Sequence, residues 1–499
     1  MADNLEPYNR CKSLVVHRNH LSTRCDYCDV GQVVTIHDLP DDVLLAIFDF
    51  YVVPYQDLGL FVVGFNPGGT KKKVEWWQLL VHVCRRWRGL VFGSPRRLNL
   101  QLFYEPRTSA SRSLVWPALP LIIKGDVFDE SVDNVIAELK HSNRVSQIYL
   151  RSFTNSVWTA MQVPFPELEF LYLKYENLMT PVLPDSFLGG SAPRLRYLSL
   201  TSISFPGLPK LLLSATHLVC LYLNDIARSG YISPEAMATC LSTLTGLEML
   251  QLLFQPCQPG PDRERPPPPT RAILPVLTVL RFNGASHEYL EELAAWIDTP
   301  RLRQLSATFF YDMHIVTPEL IRLVSHSSTL NAPNEAHVVF GTGTASVRLQ
   351  PRASKTNYFE VNILSSTPGW QLLCLSQICT SSSPLLSTTE NLYIYEDPRQ
   401  SPNWKGAVEN TKWLGLLLPF ASVTNVYLSK QFAPRIAPAL QELTGGRATE
   451  VLPSLHDLYL EGFQPSESVQ EGIERFISAR QLTNHPVAIS VWKRGTMGE

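Results

Sequence analysis

The feature that most constrains the fold of this chain is a short pattern, L-x-x-L-x-L, that returns many times. Leucine fills all three places in five copies, which begin at Leu168, Leu195, Leu218, Leu247 and Leu455. Looser copies begin at Val145, Leu277, Leu302, Thr389 and Val423. From Val145 to Leu302 successive copies start 23, 27, 23, 29, 30 and 25 residues apart. This period indicates a stack of similar units that bury their apolar sides against each other.

The segments between these copies have the pattern of helices. "SPEAMATCLSTL" offers Ser233 as a cap with a proline after it, and "TPELIRLVSHS" begins in the same way at Thr317. Strand, loop and helix in alternation predict an α/β solenoid, with a period close to that of leucine-rich repeats. Between Leu302 and Thr389 the pattern fades, but "AHVVF" and "NYFEVNIL" still read as strands. We therefore expect irregular repeats there.

One position of the repeat is unusually rich in tyrosine. Strand alternation sends the residue between the last two leucines to the exposed inner face. In ten copies this position holds six tyrosines, although tyrosine accounts for only 18 of 499 residues. The six are Tyr149, Tyr172, Tyr222, Tyr393, Tyr427 and Tyr459. The other four copies place Ser199, Gln251, Arg281 and Ser306 there.

Tyrosine combines a large apolar ring with a hydroxyl, which suits a protein-binding surface. The six tyrosines are therefore candidate substrate contacts. The alternative is that tyrosine favours strands and packs against its neighbour on the next repeat.

The N-terminal part of the chain has a different pattern. The first 31 residues are polar and are interpreted as a flexible segment. "IHDLPDDVLLAIFDFYV" from Ile36 predicts a short amphipathic helix, because a proline and two aspartates mark its start. After a loop, "EWWQLLVHVCRRWRGLVF" from Glu75 resumes a helical period, with arginines bordering its apolar side.

Charge and cysteine usage narrow the classes of partner. The net charge is -2 and only 18% of residues are charged, which argues against a dedicated nucleic-acid or membrane-surface binder. No apolar run approaches the roughly 20 residues that span a bilayer. The nine cysteines are scattered, and no signal-like apolar start precedes them. We expect a reduced, intracellular protein in the cytoplasm, the nucleus or both.

No catalytic or cofactor signature is found in the chain, so we expect no enzyme activity and no cofactor. "GFNPGGTK" from Gly64 resembles a phosphate loop, but its second glycine is not followed by lysine. Cys25 and Cys28 lie near other cysteine and histidine residues, but the ligand pairs are too close together for a usual zinc site. An unstructured tail is favoured there, with zinc as the alternative.

Two further segments do not fit the repeat. Residues 255–271, "QPCQPGPDRERPPPPTR", contain seven prolines and predict an exposed, disordered loop with polyproline character. Arg263, Pro266 and Pro269 within it have the form of an SH3 ligand, which is common in proline runs. Residues 481–499 are interpreted as a C-terminal tail.

"LPDDVLLAIF" followed by "VCRRWRGLV" resembles the F-box, and the continuation "FGSPRRLNLQL" is similar to the variant in F-box proteins of mushroom-forming fungi. The resemblance covers about Thr35 to Leu102, and repeats behind an F-box are a familiar order in that family. It implies a small helical F-box at residues 32–102 and an α/β leucine-rich-repeat-like solenoid at residues 103–480 that binds substrate. One departure is the 24 residues between Tyr51 and Trp76, where the family usually has a short connection.

The resemblance further implies an adaptor role. An F-box binds the Skp-type adaptor, and through it a cullin, in a ubiquitin ligase, while the repeats capture a protein substrate. The residues expected to bind the adaptor are Leu39, Pro40, Leu44, Ile47, Phe48, Cys84 and Trp87. The alternative is a Skp-binding or free repeat scaffold that acts outside a ubiquitin ligase.

Overall fold

The computed structural model divides the chain into two compact units, residues 1–100 and residues 101–499, called here the N-terminal unit and the C-terminal unit. The described residues are 36, 38–50, 76–95, 97–105, 119–127, 129–176, 181–204, 208–255, 270–285, 287–310, 315–400, 402, 404, 408–462 and 467–493. Within them, no helix is long and apolar enough to cross a lipid bilayer.

The N-terminal unit contains three short helices. They are α1 (Asp41–Asp49), α2 (Trp76–Val81) and α3 (Arg85–Gly93). Helix α1 begins directly after Pro40, and two aspartates occupy its first turn, where carboxylates interact favourably with the helix dipole. The predicted first helix is therefore found.

The second predicted helix is in fact two helices, because the chain breaks between Val81 and Arg85. Cys84 is extended, with φ of -157°, and caps α3 by accepting a hydrogen bond from the backbone N–H of Trp87 at 3.4 Å. Helical periodicity continues through the break, so the apolar pattern alone could not reveal it.

The C-terminal unit is a mixed α/β fold around a sheet of 16 strands. Its strands are β1 (Leu102–Tyr104), β2 (Leu121–Asp126), β3 (Val145–Arg151), β4 (Phe170–Lys174), β5 (Tyr197–Thr201), β6 (Cys220–Ile226), β7 (Met249–Phe254), β9 (Val279–Gly284), β11 (Gln304–Phe310), β12 (Glu335–Gly341), β13 (Thr344–Gln350), β14 (Tyr358–Leu364), β15 (Asn391–Glu396), β16 (Asn425–Leu428), β17 (Asp457–Glu461) and β18 (Ala488–Trp492). A separate two-stranded sheet consists of β8 (Ala272–Ile273) and β10 (Ile297–Asp298).

Helices occupy most connections between these strands. They are α4 (Val132–Leu139), α5 (Asn155–Ala160), α6 (Leu208–Ser214), α7 (Pro234–Ser242), α8 (Glu288–Trp296), α9 (Pro318–His326), α10 (Pro368–Ser381), α11 (Ser383–Leu386), α12 (Asn410–Leu417), α13 (Ala433–Gln441) and α14 (Glu467–Leu482). The predicted cap of α7 is present, because the Ser233 hydroxyl accepts a hydrogen bond from the backbone N–H of Ala236 at 3.2 Å.

All ten copies of the repeat pattern coincide with strands of the main sheet, which confirms the strand predictions. Burial alternates as the pattern requires: in β4, Leu171 and Leu173 are fully buried while their neighbours are half-buried. Neighbouring strands pair in parallel from β1 to β11 in the main sheet. Parallel pairing resumes from β12 to β15 and continues to β18.

The region where the pattern fades contains an antiparallel insertion. The strand order there is β11, β14, β13, β12 and β15, and β13 pairs antiparallel with both of its neighbours. A tight turn joins β12 to β13, with Gly343 at φ of +76°, a conformation that favours glycine. Strands β12 and β14 were predicted from their apolar runs, whereas β13 was missed.

The C-terminal segment contributes to the fold. Of residues 481–499, interpreted above as a tail, residues 488–492 form β18, which pairs in parallel with β17. Nearby, the guanidinium of Arg480 on α14 is fully buried. It donates hydrogen bonds to the carbonyl oxygens of Ala448, Pro453 and Leu455, which lie 25 to 32 residues earlier in the chain.

Candidate interaction surfaces

Residues from "LPDDVLLAIF" and "VCRRWRGLV" form part of the interior of the N-terminal unit. Leu44 and Phe48 of α1 are fully buried. The ring of Phe48 meets the ring of Trp87 on α3 edge to face, with their centroids 4.8 Å apart. The Phe48–Trp87 contact packs α1 against α3. Leu44 and Phe48, both expected to bind the adaptor, therefore lie inside the unit.

The other expected adaptor contacts are more accessible. Pro40 is exposed, while Leu39, Ile47, Cys84 and Trp87 are half-buried. The indole Nε1 of Trp87 is buried and has no hydrogen-bond partner within the described part of the chain. Five of the seven expected contacts thus reach the surface, although Trp87 does so only with part of its ring.

Sequence reasoning missed a second set of apolar side chains in this unit. Phe50 is 90% exposed and Leu79 is 68% exposed. Three more large apolar residues are exposed in the same unit, namely Ile36, Val43 and Val83. Helical spacing assigned the apolar residues to one buried side, but these helices are only 6 to 9 residues long and cannot cover them all. The sequence signal for this exposure was that the segment contains more apolar residues than one helix face can bury.

Two of the three arginines of α3 have partners inside the unit. Arg86 forms an ion pair with Asp41 at 2.5 Å and donates to the carbonyl oxygen of Leu39 at 2.6 Å. The guanidinium of Arg88 donates to the carbonyl oxygen of Val81 at 3.0 Å. These contacts tie α3 to the start of α1 and to the end of α2. That the protein is not a dedicated nucleic-acid binder stays a prediction.

The C-terminal unit presents one continuous row of side chains across its sheet. We call it the central row, and the pairing register places in it one residue of each main-sheet strand from β2 to β18, that is, of all but β8 and β10. In spatial order it consists of Lys124, Tyr149, Tyr172, Ser199, Tyr222, Gln251, Arg281, Ser306, Glu360, Arg348, His337, Tyr393, Tyr427, Tyr459 and Ser490. All six candidate tyrosines therefore lie in one row, and all six are half-buried.

Five of the six tyrosines stack on one another in two groups. In the N-terminal ladder, the rings of Tyr149 and Tyr172 are parallel with centroids 4.2 Å apart, and the ammonium of Lys124 lies 5.6 Å from the Tyr149 ring centroid. In the C-terminal ladder, Tyr427 stacks between Tyr393 at 4.3 Å and Tyr459 at 4.4 Å. The faces of these rings are largely used within the protein, as the packing alternative expects.

The C-terminal ladder continues into a buried histidine. His337 is only 3% exposed, and its ring stacks on Tyr393 with centroids 4.6 Å apart. One ring nitrogen lies 3.0 Å from the side-chain nitrogen of Gln350, and the other lies 3.4 Å from the hydroxyl of Tyr395. Sequence reasoning missed this residue, because β12 does not carry the repeat pattern.

Tyr222 is the exception among the six tyrosines. Its neighbours in the central row are Ser199 and Gln251, which offer no ring to stack on. Its hydroxyl donates to the sulfur of Met249 at 3.3 Å, and its ring meets Tyr197 at a tilt. Burial raises the pKa of Tyr222 to about 12, against the opposing effect of the Arg281 charge. The phenol therefore stays protonated at neutral pH.

The middle of the central row is polar and charged. Arg348 pairs with Glu360 at 2.7 Å and lies over the ring of Tyr358 at 4.7 Å. The hydroxyl of Ser306 donates to the other oxygen of Glu360 at 3.4 Å. Arg281, one strand beyond Ser306, is exposed. The row therefore has two aromatic ends and a polar centre.

A groove with a volume of about 860 Å³ lies among α12, α13 and α14. Several of its polar groups are engaged with one another or with close neighbours: Asn410 donates to Glu442 at 2.6 Å, Arg475 pairs with Glu471, and Gln470 donates to Glu474 at 2.8 Å.

Several candidate motifs lie outside the described residues. They are the cysteine and histidine cluster before residue 29, the loop at residues 64–71, and the possible SH3 ligand at residues 263–269. Within the described ranges, no group of three or more histidine, cysteine, aspartate or glutamate residues could hold a metal ion.

No family model matches this chain, and no curated protein matches it. The fold itself defines a mixed α/β protein with a large, mostly parallel sheet. Its candidate surfaces are the exposed apolar residues of the N-terminal unit and the central row of the C-terminal unit. A function has to be argued from these two surfaces and from the sequence motifs.

Proposed function

We propose that this protein is the substrate-recognition subunit of a Skp-cullin-F-box ubiquitin ligase in the cytoplasm, the nucleus or both. In this proposal the N-terminal unit is an F-box that docks a Skp-type adaptor. The C-terminal unit is a leucine-rich-repeat-like solenoid that captures a protein substrate. The protein itself is not an enzyme, since the chemistry belongs to other subunits of the ligase.

The observation that carries the proposal is the division of apolar residues in the N-terminal unit. Leu44 and Phe48 are buried and Phe48 packs on Trp87, while Phe50 and Leu79 are largely exposed. Burying a side chain of this size on binding is favourable by about 1.5–3 kcal/mol. A small helical unit with several such side chains exposed is suited to binding a protein partner.

The C-terminal unit supports the second half of the proposal. Its main-sheet strands from β2 onward place one residue each in a single row, and this row combines aromatic, charged and amide side chains. Such a surface can contact a protein segment over many strands. Repeat arrays generally use extended surfaces of this kind for binding.

Binding to a purified Skp-type adaptor tests the adaptor half of the proposal. We expect the double substitutions Leu39→Ala with Pro40→Ala, and Phe50→Glu with Leu79→Glu, to lower the affinity at least tenfold. The matched control is Val491→Glu, which changes an exposed apolar residue of the C-terminal unit and should leave adaptor binding unchanged. Unaltered binding by both folded double variants would contradict the docking assignment.

A repeat scaffold that acts outside a ubiquitin ligase is the alternative. The two functions differ in whether a cullin accompanies the adaptor. Recovery of the adaptor without a cullin favours a Skp-binding scaffold, and recovery of neither favours a free scaffold.

A further inference from the structure

Side chains at the polar centre of the central row have fewer contacts within the protein than the stacked tyrosines toward its ends. In both ladders the ring faces of the tyrosines are stacked on one another. Around Arg281, by contrast, the register neighbours are Gln251 and Ser306, and neither covers the guanidinium with a ring. A partner can therefore contact more uncovered side-chain groups at the centre of the row than on either ladder.

The guanidinium of Arg281 carries an uncompensated charge. Within the residues that the structure describes, it forms no ion pair and no hydrogen bond. Glu360 is the nearest carboxylate in the central row, two strands away, but it is already neutralised by Arg348 at 2.7 Å and receives the Ser306 hydroxyl. A guanidinium offers five N–H donors in a planar fork that fits carboxylate and phosphate oxygens.

The surroundings of Arg281 add an apolar contact beside the charge. Two positions earlier on the same strand face, Val279 is half-buried and lies in register with Met249. The sulfur of Met249 in turn accepts the hydroxyl of Tyr222, which lies two strands from Arg281. Tyr222, Met249 and Val279 therefore offer apolar surface on the same face of the sheet as the Arg281 guanidinium.

The spacing between these groups suits an extended chain. Neighbouring strands lie about 4.8 Å apart, so Tyr222 and Arg281 are separated by roughly 10 Å across the sheet. Three residues of a polyproline II segment advance about 9.3 Å and return a side chain to the same side. A segment running along the central row can therefore place one side chain at each group.

We propose that the substrate segment is an extended peptide with an anionic side chain, which binds Arg281, about three residues from an apolar side chain, which binds Tyr222. This inference rests on the proposed substrate-capturing function of the sheet. The anion is a carboxylate or a phosphate, since both offer oxygens to the guanidinium. In this proposal the stacked tyrosines of the two ladders stabilise the sheet and contribute less than Arg281 and Tyr222 to peptide binding.

The proposal is tested by selecting peptides from a displayed random 12-residue library on the full chain. The wild type should enrich peptides with an aspartate or glutamate about three positions from an aromatic or aliphatic residue. Arg281→Glu should lose this preference and enrich lysine or arginine instead. The matched control is Arg303→Glu, an exposed arginine just before β11 and outside the central row, which should select the same peptides as the wild type.

Synthetic versions of one enriched peptide then separate the two sources of charge. The acidic residue is replaced by phosphoserine or by serine, and binding is measured by fluorescence anisotropy. Tighter binding of phosphoserine assigns a phosphate, and equal or weaker binding assigns a carboxylate. Replacing the acidic residue of the peptide by serine should weaken binding at least tenfold. The protein variant Arg281→Gln should weaken binding of the acidic peptide by a similar factor. A wild type that enriches no acidic consensus, or an Arg281→Glu variant that selects the same peptides, would overturn the inference.

Adaptor binding is measured on the same protein preparations. If the adaptor binds but the charge preference is absent, the inference about the substrate fails while the proposed function stands. If the adaptor does not bind, the proposed function fails whatever the peptides show.

Discussion

At the residue scale, Arg480 is a buried cation that is held by backbone carbonyls. Its three hydrogen bonds join α14 to the loop before β17, and its Nε is buried without a hydrogen-bond partner in the described structure. We predict that Arg480→Met lowers the free energy of unfolding by about 2–4 kcal/mol, because it leaves buried carbonyl oxygens unsatisfied. Urea denaturation measures this change.

Arg447 provides the matched control for this prediction. It lies on the surface and pairs with Glu450 at 3.6 Å. Arg447→Met should change the unfolding free energy by no more than about 0.5 kcal/mol, since exposed ion pairs contribute little. Equal effects of the two substitutions would show that Arg480 does not hold the loop.

Glu291 on α8 should make stability depend on pH. Its two carboxylate oxygens accept the backbone N–H groups of Glu319 and Leu320 at the start of α9, each at 2.9 Å. Burial nevertheless raises the pKa of Glu291 to about 7. Because the folded pKa lies above the unfolded value, the folded state binds the proton more tightly, and stability falls as the pH rises from about 4.5 to 7.

The variant Glu291→Gln isolates this effect. Between about pH 5 and pH 8, the unfolding free energy of the wild type should fall relative to that of the variant by on the order of 2 kcal/mol. Chemical denaturation at several pH values gives both curves. Parallel curves would contradict the assignment of this pH dependence to Glu291.

At the element scale, the ladders and the centre of the central row should respond differently to mutation. Tyr172→Ser removes a stacked, half-buried ring and should lower the unfolding free energy by about 2 kcal/mol. Tyr222→Ser removes an unstacked ring and should instead weaken binding of the selected acidic peptides about tenfold. Thermal unfolding and peptide titration of both variants measure the two effects. A loss of peptide binding with Tyr172→Ser alone would place the substrate on the ladder.

The strands were the most predictable elements. Each copy of the repeat coincides with a strand, because one buried face fixes both the alternation of leucines and the register. Ten residues of the central row, one from each copy of the repeat, could also be listed from the sequence. Glu360, Arg348 and His337 could not, because they lie on β14, β13 and β12, whose order reverses, so their places depend on long-range pairing that no local pattern shows.

The N-terminal unit was less predictable. The positions of Leu44, Phe48 and Trp87 follow from helical spacing, but the contact between Phe48 and Trp87 does not. The break at Cys84 and the exposure of Phe50 and Leu79 depend on how three short helices divide one small interior. Family resemblance assigns contact residues by motif, and it cannot separate those that bind a partner from those that hold the unit together.

At the scale of the whole molecule, the proposed function assigns one binding partner to each of the two units. The N-terminal unit offers exposed apolar residues for an adaptor. The C-terminal unit offers a sheet on which all six candidate tyrosines and Arg281 lie in one row. Linking two binding surfaces in one chain brings two partners together without any chemistry by the chain itself, which is what a substrate-recognition subunit has to do.

The most direct test of this account is affinity purification of the full chain from cells, with mass spectrometry of its partners. We predict that a Skp-type adaptor and a cullin are recovered together with the wild type. The variant in which Leu39 and Pro40 are both alanine should lose both partners while remaining folded. Recovery of neither protein with the folded wild type would contradict the central claim.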